Sequence, residues 1–213
     1  VKHMVGDCAF ADMTVFSYHP VKHIATGEGG SITTNRKDLY DKLTLYRTHG
    51  ITKDPSQLEK NDGGWYYEMQ ELGYNYRITD FQAALGVSQL SRLDWSIERR
   101  QAIATRYNEA FAGTCINTPK VADNVSHAYH LYVIQMENRK ESYDFLRTQN
   151  IFAQVLYVPA HTMPYYRQFG WKHGDCPVAE NYYAHCLALP MYPTLTDEEQ
   201  EYVIEKVLEF IKK

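Results

Sequence analysis

The chain has 213 residues, 44% of them hydrophobic, and a formal net charge of −4. This length allows one sizeable domain or two small ones with a buried core. The acidic balance, with a sequence pI near 6.1, provides no basic patch for nucleic acid or for an anionic membrane. No run of about 18 apolar residues is present, and the four cysteines have neither metal-like nor paired spacing. No secretory signal precedes them, so we expect a cytoplasmic protein without a membrane span.

The first third of the chain alternates strand-like and turn-like segments. In chain order the pattern predicts strands at 13–18 and 31–34, a helix at 36–50 and a long loop at 51–76. Glycines at 27, 29 and 30 mark the turn between the two strands. A loop as long as 51–76 inside a compact domain is usually functional.

Helices dominate the middle of the chain, and strands and helices alternate after it. A capping box at Thr79–Gln82 opens a helix predicted over 79–93, and a second helix follows at 95–111. The later predicted elements are a strand at 128–136, a helix at 141–149, a strand at 153–157, a short helix or turn at 164–169, a helix at 176–185 and a last helix from Thr196. We therefore expect two domains, 1–112 and 113–213.

One lysine has a distinctive setting. Lys22 lies in a short, proline-stiffened loop between the first strand and the glycine-rich turn. A lysine ε-amine can form a Schiff base with a carbonyl cofactor and can later carry protons, provided that its surroundings hold it still. Pyridoxal phosphate chemistry needs such a lysine, and the hydroxyl of Ser17, five residues earlier, could reach a cofactor phosphate.

Four motifs resemble one family. They are Ser-Tyr-His-Pro-Val-Lys with Gly-Glu-Gly-Gly at 17–30, Tyr-Arg-Thr-His-Gly at 46–50, the segment from Leu-Gly-Tyr-Asn-Tyr-Arg to Gln-Ala-Ala-Leu-Gly at 72–86, and Leu-Pro-Met-Tyr-Pro-Thr-Leu-Thr at 189–196. Their order and content are similar to those of the DegT/DnrJ/EryC1/StrS sugar aminotransferases. The resemblance implies an α/β fold type I pyridoxal phosphate-dependent transferase, similar to aspartate aminotransferase. Residues 1–112 would be the C-terminal part of its large domain with connecting helices, and 113–213 its small C-terminal α/β domain.

The resemblance also implies roles for individual residues. Lys22 would carry the cofactor pyridoxal 5'-phosphate and move protons, and Ser17 would bind the cofactor phosphate. Asn75, for the cofactor, and Arg77, for the substrate, lie in a segment that the family lends to the neighbouring active site. A homodimer with shared active sites is therefore expected. The alternative for these two residues is a loop asparagine in a left-handed turn and a surface arginine. The loop that contains the lysine also contains His19, which would either contact substrate or only position the loop.

Two further candidates lie in the C-terminal part. His161 matches a position that approaches the sugar nucleotide in some relatives, with a solvent-facing loop histidine as the alternative, and Tyr157 is a weaker candidate for the same role. His127 and His130 form an H-x-x-H pattern that would place the rings on opposite faces of a strand, so no metal site is expected.

The resemblance implies amino transfer from an amino acid, expected to be glutamate, to a UDP-linked keto-sugar. A keto-sugar dehydratase of the same fold would replace the lysine with histidine, so Lys22 argues against that activity. The family elements that cradle the cofactor phosphate and pair with the pyridine nitrogen find no match, so we expect a C-terminal portion. A catalytically incomplete fragment that acts as a structural or binding module is the alternative.

Overall fold

The structure is a computed structural model that describes residues 3–212, and these residues divide into two units. The first unit ends at Leu93 and the second begins at Asp94. None of the helices in the described part of the chain is both long and apolar enough to span a bilayer.

The first unit contains two antiparallel strand pairs and two helices. In chain order its elements are β1 (Thr14–Ser17), β2 (Gly30–Thr33), α1 (Lys37–Arg47), β3 (Ile51–Thr52), β4 (Glu68–Met69) and α2 (Asp80–Leu90). β1 pairs with β2, and β3 pairs with β4. The capping box predicted for α2 is present, because the Thr79 hydroxyl accepts from the backbone N–H of Gln82 and the Gln82 side chain accepts from that of Thr79.

The first unit has almost no buried interior. Within residues 3–93 only Thr26 and Gly50 are buried, and no apolar side chain is. Large apolar side chains of α2 are instead exposed, including Phe81 at 91% and Val87 at 69%. An apolar helix face of this kind normally packs against other protein.

The second unit has a continuous hydrophobic core. Its elements are α3 (Leu93–Phe111, all but its first residue), β5 (Tyr132–Gln135), α4 (Arg139–Thr148), a 3-10 turn at Ala160–Thr162, α5 (Pro164–Arg167), α6 (Pro177–His185), β6 (Cys186–Leu189) and α7 (Asp197–Ile211). β5 and β6 are antiparallel, with Ile134 opposite Leu187. Both of these side chains are fully buried in the core that α3, α4 and α7 surround.

The predicted helices are confirmed, whereas the strand predicted at 153–157 is wrong and β6 was missed. Residues 153–157 form no strand, and only Gln154 makes an isolated bridge, to Ala188. β6 was not predicted, because its apolar run follows the 176–185 helix without a turn residue. The structure groups most of α3 with the second unit. The domain boundary at 112/113, which concerns the whole protein, stays a prediction.

Candidate active site

Lys22 lies in the connection between β1 and β2, which the backbone closes on itself. The N–H of Tyr18 donates to the carbonyl of Gly29 at 2.8 Å, and that of Thr26 donates to the carbonyl of Tyr18 at 2.9 Å. The N–H of Lys22 donates to the carbonyl of His19 at 2.9 Å, so a tight turn presents the lysine. The Lys22 side chain is half-buried. These bonds shape the backbone that carries the amine, which is part of the setting that a reactive lysine requires.

Contacts with the N-terminal half of α2 hold this connection in place. Thr26 is only 3% exposed, and its hydroxyl donates to the carbonyl of Glu28 at 2.6 Å. The same carbonyl accepts from the side-chain amide of Gln82 at 2.9 Å. Gly86 faces Thr26 so closely that a Cβ there would lie 3.2 Å from the Thr26 methyl. The loop that contains Lys22 is therefore fastened to the first two turns of α2.

Ser17 and His19 stand at the entrance of this connection. Ser17 ends β1, is exposed, and its hydroxyl accepts from the N–H of His19 at 3.3 Å. The His19 ring accepts from the N–H of Val21 at 3.4 Å and lies 3.9 Å from the Glu28 carboxylate. These contacts agree with a loop-positioning role for His19, and its contact with substrate stays a prediction.

Asn75 and Arg77 are brought together with the Tyr-Arg-Thr-His-Gly motif. Asn75 makes an isolated antiparallel bridge with Thr48. The Arg77 guanidinium lies 2.8 Å from Nε2 of His49. Both Asn75 and Arg77 are exposed. Sequence reasoning had treated the two motifs as separate, since nothing in either pattern indicates that they pair.

His161 and Tyr157 belong to the second unit and differ in setting. Nε2 of His161 lies 2.7 Å from the carboxylate of Glu180 on α6, and each side chain is only 10% exposed. The alternative of a solvent-facing histidine is therefore wrong, while contact with the sugar nucleotide stays a prediction. Tyr157 is 70% exposed and stays a candidate.

Glu180 is a partner that sequence reasoning missed. Its carboxylate also accepts from the N–H of Gly174 at 2.8 Å and lies 3.0 Å from Nε2 of His173. The hydrogen bond with His161 is the largest cause that holds the pKa of Glu180 below its usual value. The signal in the sequence that could have identified Glu180 is an acidic residue in the first turn of a helix that starts at Pro177.

The residues of the first unit fit part of a pyridoxal phosphate site. They supply a half-buried amine on a hydrogen-bonded turn and an exposed hydroxyl at the end of β1. A carbonyl cofactor reacts with such an amine, and a phosphate accepts from such a hydroxyl. Among the described residues, no group of His, Cys, Asp and Glu side chains could hold a metal ion.

The α/β fold and the turn that holds Lys22 are those of part of a fold type I pyridoxal phosphate-binding protein. The chain belongs to the DegT/DnrJ/EryC1/StrS aminotransferase family, which matches over residues 2–208. It is 41% identical to the spore coat polysaccharide biosynthesis protein SpsC of Bacillus subtilis, over 99% of this chain and 56% of SpsC. It is 32% identical to the UDP-4-amino-4,6-dideoxy-N-acetyl-beta-L-altrosamine transaminase of Campylobacter jejuni, over 95% of this chain and 53% of that enzyme.

Solved structures agree with this assignment. The PMP form of the protein Spr1654 from Streptococcus pneumoniae superposes with a TM-score of 0.88 at 30% identity, over 97% of this chain and 54% of that one. The aminotransferase PseC of Helicobacter pylori, involved in the biosynthesis of pseudoaminic acid, superposes with a TM-score of 0.84 at 30% identity, over 95% of this chain and 54% of that one. The predicted α/β fold type I class and the pyridoxal phosphate cofactor are thereby confirmed. The chain spans about half the length of the relatives it matches.

Proposed function

We propose that this chain carries the lysine half of an enzyme that transfers an amino group from an amino acid, glutamate, to the C4 keto group of a UDP-linked 4-keto-6-deoxy sugar. The observation that carries the proposal is the hydrogen-bonded turn that holds Lys22 between β1 and β2. The transaminase of Campylobacter jejuni supports the choice of sugar, because its name specifies a UDP-linked 4-amino-4,6-dideoxy sugar.

Each candidate residue has a part in this function. Bound pyridoxal phosphate supplies a reversible carbon–nitrogen linkage and an electron sink. The ε-amine of Lys22 would carry the cofactor and, when released, would move protons between the two carbons on either side of the transferred nitrogen. The Ser17 hydroxyl donates to the cofactor phosphate. The half-buried turn that carries Lys22 limits the positions open to the amine, which lowers the entropy cost of each proton transfer.

Anionic and polar groups of the ligands find partners in the remaining candidates. Asn75 contacts the cofactor phosphate, and Arg77 contacts an anionic group of the substrate. His161 and Tyr157 contact the sugar nucleotide, and His19 shapes the entrance. Asn75 and Arg77 act in the neighbouring subunit of a cytoplasmic homodimer, which agrees with their exposure in a single chain.

A second candidate function is a structural or binding module that uses this fold without catalysis. The observation that favours it is the missing apolar core of residues 3–93. A unit without a core cannot hold a reactive loop still unless other protein covers its exposed apolar side chains.

The test is to locate the cofactor chemically. The purified chain is incubated with pyridoxal phosphate, reduced with borohydride and digested, and the masses of the peptides are measured by mass spectrometry. We expect the mass of the reduced cofactor on the peptide that contains Lys22, and an absorbance band that disappears in Lys22→Ala. Lys42→Ala, a change of an exposed lysine on α1, serves as the control. Cofactor spread over many lysines, with Lys22 no more labelled than Lys42, would favour the module.

A further inference from the structure

The Tyr-Arg-Thr-His-Gly motif at 46–50 has no part in the proposed function, yet it packs tightly against the segment that carries Arg77. Backbone hydrogen bonds join the two segments, namely Tyr74 N–H to Tyr46 carbonyl at 2.7 Å, His49 N–H to Tyr74 carbonyl at 2.7 Å, and Tyr76 N–H to Arg47 carbonyl at 3.0 Å. The backbone on both sides of Asn75 is therefore held by the end of α1.

Two glycines allow this close approach. Gly50 has φ +68°, and a Cβ on it would overlap the carbonyl group of Glu71. A Cβ on Gly73 would lie 2.5 Å from the carbonyl carbon of His49, which is closer than real contacts. The chain path thus places residue 49 beside residue 77 with little freedom to separate.

His49 takes a left-handed backbone conformation, with φ +61°, just beyond the C-cap of α1. Histidine adopts this conformation less readily than glycine, which is the residue usually found at this position of a helix end. The conformation directs its ring to Arg77, at 2.8 Å between Nε2 and Nη1. A guanidinium has only donors, so Nε2 accepts and the ring proton is on Nδ1.

The choice of a histidine as partner leaves the charge of Arg77 available. Among the residues that the structure describes, His49 is the side chain in contact with the Arg77 guanidinium. A carboxylate in that place would neutralise the cation, whereas a neutral imidazole orients it and leaves its other N–H groups for an anion.

We infer that His49 is a positioning residue that holds Arg77 for an anionic group of the nucleotide-linked substrate. The inference deepens the proposed function and rests on it for the contact between Arg77 and the substrate. His49 itself touches no reacting atom; it fixes one nitrogen of the guanidinium and thereby sets the direction of the others.

The ring of His49 can be examined without any ligand. In the purified chain, the nitrogen chemical shifts of the His49 ring are expected to show the form protonated on Nδ1, and Arg77→Ala is expected to abolish the preference. A ring protonated on Nε2 in the unmodified chain would overturn the inference. This measurement does not depend on catalysis or on the cofactor.

Binding of UDP, measured by calorimetry, tests the consequence. We expect His49→Ala and Arg77→Ala each to weaken binding about tenfold, and the double variant to weaken it no further, because both remove one shared interaction. His49→Gln retains an acceptor of similar reach and is expected to restore binding to within about threefold of the unmodified chain.

His49→Asn is the matched control, since asparagine tolerates the left-handed backbone but is too short to reach Arg77. Restored binding with asparagine and not with glutamine would show a role in the helix end alone and overturn the inference. A loss with Arg77→Ala but none with His49→Ala would overturn it and leave the proposed function intact. Two further results would also overturn the inference: UDP binding that neither His49→Ala nor Arg77→Ala affects, and an unmodified chain that does not bind UDP. Labelling of Lys22 decides the proposed function separately.

Discussion

Gly73→Ala is expected to open the joint between residues 46–50 and the segment that carries Arg77. The new Cβ would overlap the backbone nitrogen of Gly50 and would lie 2.5 Å from the carbonyl carbon of His49, where ordinary contact begins at 3.4 Å. Both neighbours are backbone atoms, so no side chain can rotate away, and one segment must move by about 1 Å.

The size of the effect follows from the bonds that this movement breaks. Three backbone hydrogen bonds join the segments, with donors on His49, Tyr74 and Tyr76. At a net value of about 1 kcal/mol each, their loss lowers the free energy of local opening by about 3 kcal/mol. Amide hydrogen exchange at these three residues should then accelerate by about a hundredfold.

Gly64→Ala is the control, because the space around Gly64 is open and its φ is not in the left-handed range. It should leave exchange at His49, Tyr74 and Tyr76 unchanged. Protection of those amides that survives Gly73→Ala would refute the steric argument, since the alanine would then fit where the structure leaves no room.

Three other predictions concern the second unit and are measured by urea unfolding. The pKa of Glu180 lies below its usual 4.5, so the ionised carboxylate stabilises the fold above pH 4.5, and this stabilisation is lost as the pH falls through the lowered pKa. Glu180→Gln should therefore reduce the decrease in unfolding free energy below pH 4.5. Gln200→Glu should destabilise increasingly as the pH rises above about 4.3, because Gln200 is fully buried, donates to the carbonyl of Ile103 and would become a buried carboxylate with a raised pKa; equal destabilisation at pH 4 and pH 7 would contradict this. Arg100→Met should lower the free energy of unfolding by about 3 kcal/mol, because Arg100 is 5% exposed and its Nη1 is close to three backbone carbonyls that would lose their donor. A variant as stable as the parent would show that the cost of burying the guanidinium had cancelled the stabilisation by those bonds.

The helices could be predicted from the sequence because their ends carry local chemistry. Thr79 with Gln82 and Thr196 with Glu199 form the two capping boxes that the pattern indicated. A capping box acts within four residues, so a sequence contains all that is needed to recognise it. The stripe of α7 that reaches the core likewise follows from helical periodicity, with Val203 and Val207 both buried.

The strands were harder because their partners are distant in sequence. β6 is buried at all four positions and shows no alternation, so its pattern does not differ from the end of a helix. Residues 153–157 have strand-like composition, but only Gln154 meets a partner backbone. Propensity describes which residues fit a sheet, and it does not supply the neighbouring strand.

The candidate site residues could be proposed from the sequence, whereas their contacts with one another could not. Lys22 and Ser17 were proposed because the motif at 17–30 resembles the lysine segment of the family. The contact of Arg77 with His49 and that of His161 with Glu180 were not, because each spans many residues and depends on how the backbone folds. Hydrogen bonds between backbone groups leave no trace in residue identity, so the pairing of 46–50 with 74–76 was invisible.

The contrast in burial between the two units bears on when the reactive amine becomes competent. The second unit contains every buried apolar side chain of the described residues, so we expect that unit to fold by itself. The turn around Lys22, in contrast, rests on Thr26 and on α2, whose apolar face is exposed. The turn then gains rigidity only as that face is covered. A newly made, unassembled chain would therefore present a lysine that is held less rigidly than in the assembled protein, and its reactivity toward carbonyl compounds would increase on assembly.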